Sequence, residues 1–128
     1  MAEITNLSER RQNDRHPVQN GGFVVLHPRQ YFPKLGPMID ISLGGLAFQY
    51  HLESNIRLTE FTAVDIYFSG EGLCIGNIPV ESVWSIDIPQ HDPYFNITVK
   101  RYGVAFGSLS PDNMIQLNQF IQQYTVPT

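Results

Sequence analysis

The chain has 128 residues, 42% hydrophobic and 12% aromatic, which suits one domain around one core. Its formal net charge of −4 argues against non-specific binding of nucleic acid polymers, which rests on broad phosphate neutralisation. A single cysteine, Cys74, excludes a disulfide framework or a cysteine-based metal site within one chain.

Residues 1–9 read as a flexible polar lead or a short helical turn. Arg10-Arg11-Gln12-Asn13-Asp14-Arg15 follows and holds three of the eight Lys/Arg residues. Pro17 disfavours a helical conformation at His16. Asn20-Gly21-Gly22 is a turn signal, and Phe23–His27 is a β-branched and aromatic run. Three prolines within 28–37 point to an extended or irregular connection. Met38-Ile39-Asp40-Ile41-Ser42 alternates as a half-buried strand does. Leu43-Gly44-Gly45 interrupts it, and two successive glycines there allow positive φ and let backbone N–H groups approach a ligand. Strand patterns resume at Leu46–His51 and Thr62–Phe68, and Ser69–Gly72 is a turn.

Leu73–Gly76 reads as a short strand and Ile78–Ile88 as a longer one. Within the longer one, simple alternation puts Val80, Ser82, Trp84 and Ile86 on one face, with Trp84 expected as a core or barrel-wall aromatic. Tyr94–Lys100 and Tyr102–Phe106 read as the last strands. A helix is predicted from about 110 to 125, with Ser110 as N-cap and Pro111 at N1. Met114, Leu117, Ile121 and Tyr124 form its apolar stripe, with Phe120 beside them. Six or seven short strands imply an antiparallel barrel or sandwich. Cys74, between Leu73 and Ile75, reads as a buried thiol in a reducing cytoplasm. No apolar run reaches the length of a membrane span, and no signal-peptide pattern opens the chain.

Arginine pairs bidentately with phosphate and stacks on aromatic planes. Arg11 and Arg15 are four apart, so a helical turn or an extended arm presents both to one object. The opposing possibilities are a solvated basic tail and, for Arg15, an internal salt bridge. For Asp40 and Ser42 the opposing possibility is a turn that satisfies local backbone groups. The histidines His16, His27, His51 and His91 lack metal-ligand spacing, and neither a Walker A loop nor a G-x-S-x-G motif occurs. No enzyme activity, no metal and no cofactor is expected.

With these residues in place, the chain resembles the PilZ domain family, receptors for the bacterial second messenger cyclic di-GMP. Arg11-x-x-x-Arg15 matches the family's RxxxR arm, and Asp40-Ile41-Ser42-Leu43-Gly44-Gly45 matches its [D/N]-x-S-x-x-G. Val83-Trp84 and Tyr102-Gly103-Val104-Ala105-Phe106, followed by Leu109-Ser110-Pro111, are similar to its later strands and terminal helix. The resemblance implies an all-β fold, a six-stranded antiparallel barrel with a C-terminal α-helix. It places one PilZ domain at 10–128, with an arm at 10–16, a barrel at about 22–107 and a helix at about 110–125. It implies a cyclic di-GMP site formed by Arg10, Arg11, Arg15, Asp40, Ser42 and Gly45. Arg11 and Arg15 would contact phosphate and the guanine O6/N7 edge. Asp40 would accept from guanine N–H groups, Ser42 would offer a hydroxyl, and Gly45 would keep a Cβ out of the way. Separately from the resemblance, the position of Arg10 next to the pair suggests that it reaches a second ligand copy. A downstream protein partner, a monomer or ligand-dependent dimer, and roles in motility or biofilm formation come with the same resemblance. The alternatives are a PilZ-like interaction adaptor without nucleotide and a barrel for single-stranded nucleic acid, which an acidic chain does not favour.

Overall fold

A computed structural model describes residues 14–27, 36–53, 61–88 and 97–127. Seven strands and one helix follow in order: β1 (His16–Pro17), β2 (Gly22–His27), β3 (Gly36–Ile41), β4 (Gly45–Glu53), β5 (Ala63–Phe68), β6 (Gly72–Ile88), β7 (Ile97–Phe106) and α1 (Pro111–Tyr124). Strand order is β1-β3-β2-β5-β6-β7-β4, and β3 also pairs with β4. That last pairing closes β2 to β7 into a six-stranded antiparallel barrel and leaves β1 outside on β3, so the barrel rather than the sandwich is the fold. The seventh strand grows from the predicted arm: His16 pairs with Ile41 and Pro17 with Asp40.

Alternation explains the interior. Val24, Ile41, Leu46, Phe48, Val64, Ile66, Ile75 and Ile78 are buried in one cluster, with Tyr102, Val104 and Phe106 from β7. Phe48 stacks on Tyr102 at a centroid distance of 5.4 Å. Helix α1 covers part of this core. Ser110 caps it, its Oγ accepting from the Asn113 N–H at 3.0 Å, and Pro111 fills the first turn. Its buried residues are Leu117 and Phe120. Phe68 of β5 meets this helix, stacked on Tyr124 at 4.2 Å and edge-on to Phe120 at 6.5 Å. Met114, expected in the apolar stripe, is instead 37% exposed and outside the buried core.

Three local expectations change. The stretches 73–76 and 78–88 form one 17-residue strand, with Asn77 inside it at φ 54°. Asn77 keeps its place because its N–H donates to Asp65 Oδ1 at 2.7 Å, and Asn tolerates left-handed backbone well. The register of β6 against β7 shifts between Val80 and Ser82: Val80 pairs with Phe106, but Ser82 pairs with Ala105. Such a bulge inserts one residue and reverses the alternation. Val80 therefore packs against the core, while Trp84 and Ile86 face outward. Finally, the last two predicted strands are one, Ile97–Phe106, and residues 94–96 lie outside the described residues.

Candidate functional site

The corner between β3 and β4 is built by Ser42. Its backbone N–H donates to the Gly45 carbonyl at 2.8 Å. Its Oγ accepts from the N–H groups of Gly44 at 3.1 Å and Gly45 at 3.2 Å. The residue is 4% exposed, so its hydroxyl is committed to the turn, as a short polar side chain at a strand end favours. Gly44 and Gly45 do not use the positive φ open to them; among the described glycines it falls at Gly21, Gly70 and Gly72. Glycine is required at position 45 for another reason: a Cβ there would overlap the Val104 carbonyl oxygen of β7.

Asp40 sits two residues before that corner. The register is irregular between Met38 and Asp40, so Met38 and Ile41 enter the core while Asp40 pairs with Ala47 on the outer face. Arg15 reaches it from just before β1, and its Nη1 donates to Asp40 Oδ1 at 2.9 Å. Two attachments hold the root of the arm in place. Val18 N–H donates to the Ile39 carbonyl at 3.0 Å, and Val126 N–H, beyond α1, donates to the Pro17 carbonyl at 2.8 Å. Position 15 is thus delivered to position 40 by backbone pairing on both sides of β1.

The outer face continues from Asp40 across the sheet. Asp40 pairs with Ala47, Ala47 with Gly103 and Gly103 with Trp84. Cross-strand partners share a face. This row therefore runs from an ion pair, over two small residues, to an indole. Trp84 is 46% exposed, and a Cβ on Gly103 would overlap its ring, so the indole lies flat over that glycine. Trp84 thus belongs to the barrel wall, and its outward half is available to a planar partner. Its place beside the motif residues was missed in the sequence. The available signal was a lone tryptophan whose strand pairs with a glycine, but the bulge before Ser82 hides which face it takes.

Of the expected site residues, Arg15, Asp40, Ser42 and Gly45 are brought to one corner. Arg10 and Arg11 lie outside the described residues. Among the described residues, no group of three or more His, Cys, Asp or Glu is placed to hold a metal. None of the described helices is long and apolar enough to cross a membrane. The corner offers a forked cation, a carboxylate acceptor and an aromatic plane, linked by two small residues that are themselves covered, Ala47 at 2% exposure and Gly103 beneath the indole. Those are the elements that recognise an anionic group attached to a flat, hydrogen-bonding ring.

Comparisons with known proteins give the family and the fold. A family model described as the PilZ domain matches residues 9–123. No curated protein matches. Among solved structures, the PilZ domain with c-di-GMP of YcgR from Escherichia coli superposes with a TM-score of 0.63 at 19% identity, covering 90% of this chain and 91% of that one. The K. pneumonia MrkH–c-di-GMP complex gives 0.60 at 15%, over 88% of this chain and 51% of that one. YcgR from Escherichia coli in complex with c-di-GMP gives 0.57 at 18%, over 88% and 45%. At these identities the likeness is one of fold. The chain spans about half the length of MrkH and less than half of the longer YcgR chain.

Proposed function

This chain belongs to the PilZ domain family, and from that premise we propose that it is a receptor for cyclic di-GMP that passes the signal to a protein partner. The observation that carries the reading is the meeting of Arg15 and Asp40 across 25 residues of sequence on an exposed face. A doubly charged ligand with two guanines needs cations for phosphate and acceptors for base N–H groups. Arg15, with Arg10 and Arg11 from the arm, supplies the cations. Asp40, once its guanidinium partner turns to phosphate, accepts from the guanine edge. Ser42 and Gly45 act through shape: one ties the turn and the other lets β4 approach β7, and together they hold Asp40 at the rim. Trp84 provides a ring against which a base stacks. That the solved structures similar to this chain include c-di-GMP complexes supports the choice of ligand.

Arm residues gathered around the ligand would present a new surface to the partner, an ordering step of the kind that switches many receptors. The working location is the cytoplasm, and control of motility or biofilm formation is the expected output.

Calorimetric titration with cyclic di-GMP, with GTP and a short oligonucleotide as controls, tests the proposal. Saturable binding of the cyclic dinucleotide alone is the expected result. Equal or absent heats for all three would leave the nucleotide-free adaptor as the reading.

A further inference from the structure

We propose that Arg101, on the barrel wall and outside both sequence motifs, is a phosphate-binding residue of this site; the proposal rests on the cyclic di-GMP reading above. Arg101 belongs to β7, where Tyr102, Val104 and Phe106 point into the core. Alternation sends Arg101 to the outer face with Gly103. It pairs with Gln49 of β4 on one side and Ile86 of β6 on the other. The parallel row, one alternation step along, is the one that runs from Asp40 through Ala47 and Gly103 to Trp84. Arg101 therefore flanks the same row that Asp40 and Trp84 bound, in which Ala47 is buried and Gly103 lies beneath the indole. Its strand lies two strand spacings from β3, about 10 Å, which a long side chain narrows further.

Charge makes the position significant. The Arg15 guanidinium is answered by Asp40 at 2.9 Å, so that pair adds no net charge to the face. The whole chain is acidic, with a formal charge of −4. Arg101 has no ion-pair partner among the described residues, and its Nε is buried with no hydrogen-bond partner. A desolvated donor of this kind is unfavourable until an acceptor arrives. A phosphate oxygen is such an acceptor, and the guanidinium fork takes two at once. A cyclic dinucleotide carries its two phosphates on one ring. Arg15 stands at the Asp40 end of the row and Arg101 beside the Trp84 end, so one ligand spans both.

Titration of the full chain with cyclic di-GMP, for wild type, Arg101→Gln, Arg101→Lys and Arg15→Ala, tests the assignment. Each titration is run at low and high sodium chloride, beside a melting curve without ligand. Arg101→Gln is expected to bind tenfold or more weakly, with a flatter salt dependence than wild type, and Arg101→Lys to fall between the two. The lysine variant keeps the apolar stem, so it separates lost charge from lost packing. If Arg101→Gln binds as wild type does while Arg15→Ala does not, the proposal fails and the receptor reading stands. It fails equally if Arg101→Gln binds weakly with an unchanged salt dependence, since only packing has then been lost. If wild type itself does not bind, both readings fall together.

Discussion

Arg15 Nη1 lies 2.9 Å from Asp40 Oδ1, so the base of the arginine arm and the motif aspartate already touch without a ligand. The side chains are 50% and 26% exposed. An ion pair this open to water contributes about 0.2–1 kcal/mol to stability. Arg15→Ala and Asp40→Ala are therefore expected to leave the melting temperature within a few degrees of wild type, yet to abolish tight binding of cyclic di-GMP. Melting curves paired with calorimetry check this. A variant that unfolds, or one that keeps wild-type affinity, contradicts it.

Trp84 is the only tryptophan in the chain, so its fluorescence reports on one position. A Cβ on Gly103 would overlap the indole, and the ring must then leave the sheet surface. Gly103→Ala is expected to shift the emission to longer wavelength as the indole enters water. Wild type, in contrast, is expected to change its emission when ligand is added, and Trp84→Leu to bind more weakly. Steady-state spectra and a titration measure both effects. An unchanged wild-type spectrum at saturating ligand would separate Trp84 from the site.

Gly45 is needed for packing. A Cβ there would overlap the Val104 carbonyl oxygen, and backbone cannot swing aside as a side-chain tip can. Gly45→Ala is expected to destabilise the fold by about 1–3 kcal/mol, the range for overpacking. Urea unfolding measures the loss, and a midpoint equal to wild type would show that β4 and β7 separate at little cost.

Burial pushes the Cys74 thiol up, the nearby Glu71 charge adds to this, and a backbone hydrogen bond from Phe68 opposes it. The thiol ordinarily titrates at about 8.5. With the folded value above the unfolded one, the unfolded chain releases its proton first. The contribution to stability is then whole below the unfolded pKa and is lost as pH rises through the folded one. Burial acts in the same direction on the Tyr102 phenol, and the Asp87 charge adds to it. Stability is expected to fall on the alkaline side, less steeply in Cys74→Ala. Alkylation of Cys74 by iodoacetamide at a pH of about 8 is expected to be slower than that of a free thiol. Denaturant midpoints across pH and a rate measurement test the two expectations.

Much of the architecture was readable because it rests on local periodicity. Alternation marked β3 and β5, a β-branched and aromatic run marked β2, and a resumed strand pattern marked β4, all of which the structure contains. Ser110-Pro111 marked the start of α1, where capping chemistry is local and unambiguous. The closure of the barrel was not in the pattern, since both a sandwich and a barrel satisfy alternation; the β3–β4 pairing decides it. The outward turn of Trp84 was also hidden. One inserted residue before Ser82 reverses every later position in the strand, and nothing local announces it.

By itself, the sequence determined which chemical groups are available: three arginines near the start, and an aspartate, a serine and a glycine at motif spacing. It also determined the strand that carries the aspartate, because side-chain alternation is a property of neighbours along the chain. Only the tertiary structure decided which groups share a surface. Arg15 meets Asp40, Ser42 turns inward to its own corner, and Trp84 and Arg101 come to the face of Asp40 from strands near the other end of the chain. The physical reason is that register and barrel closure are set by long-range backbone pairing and by packing of the core. No window of the sequence contains both partners of such a pair.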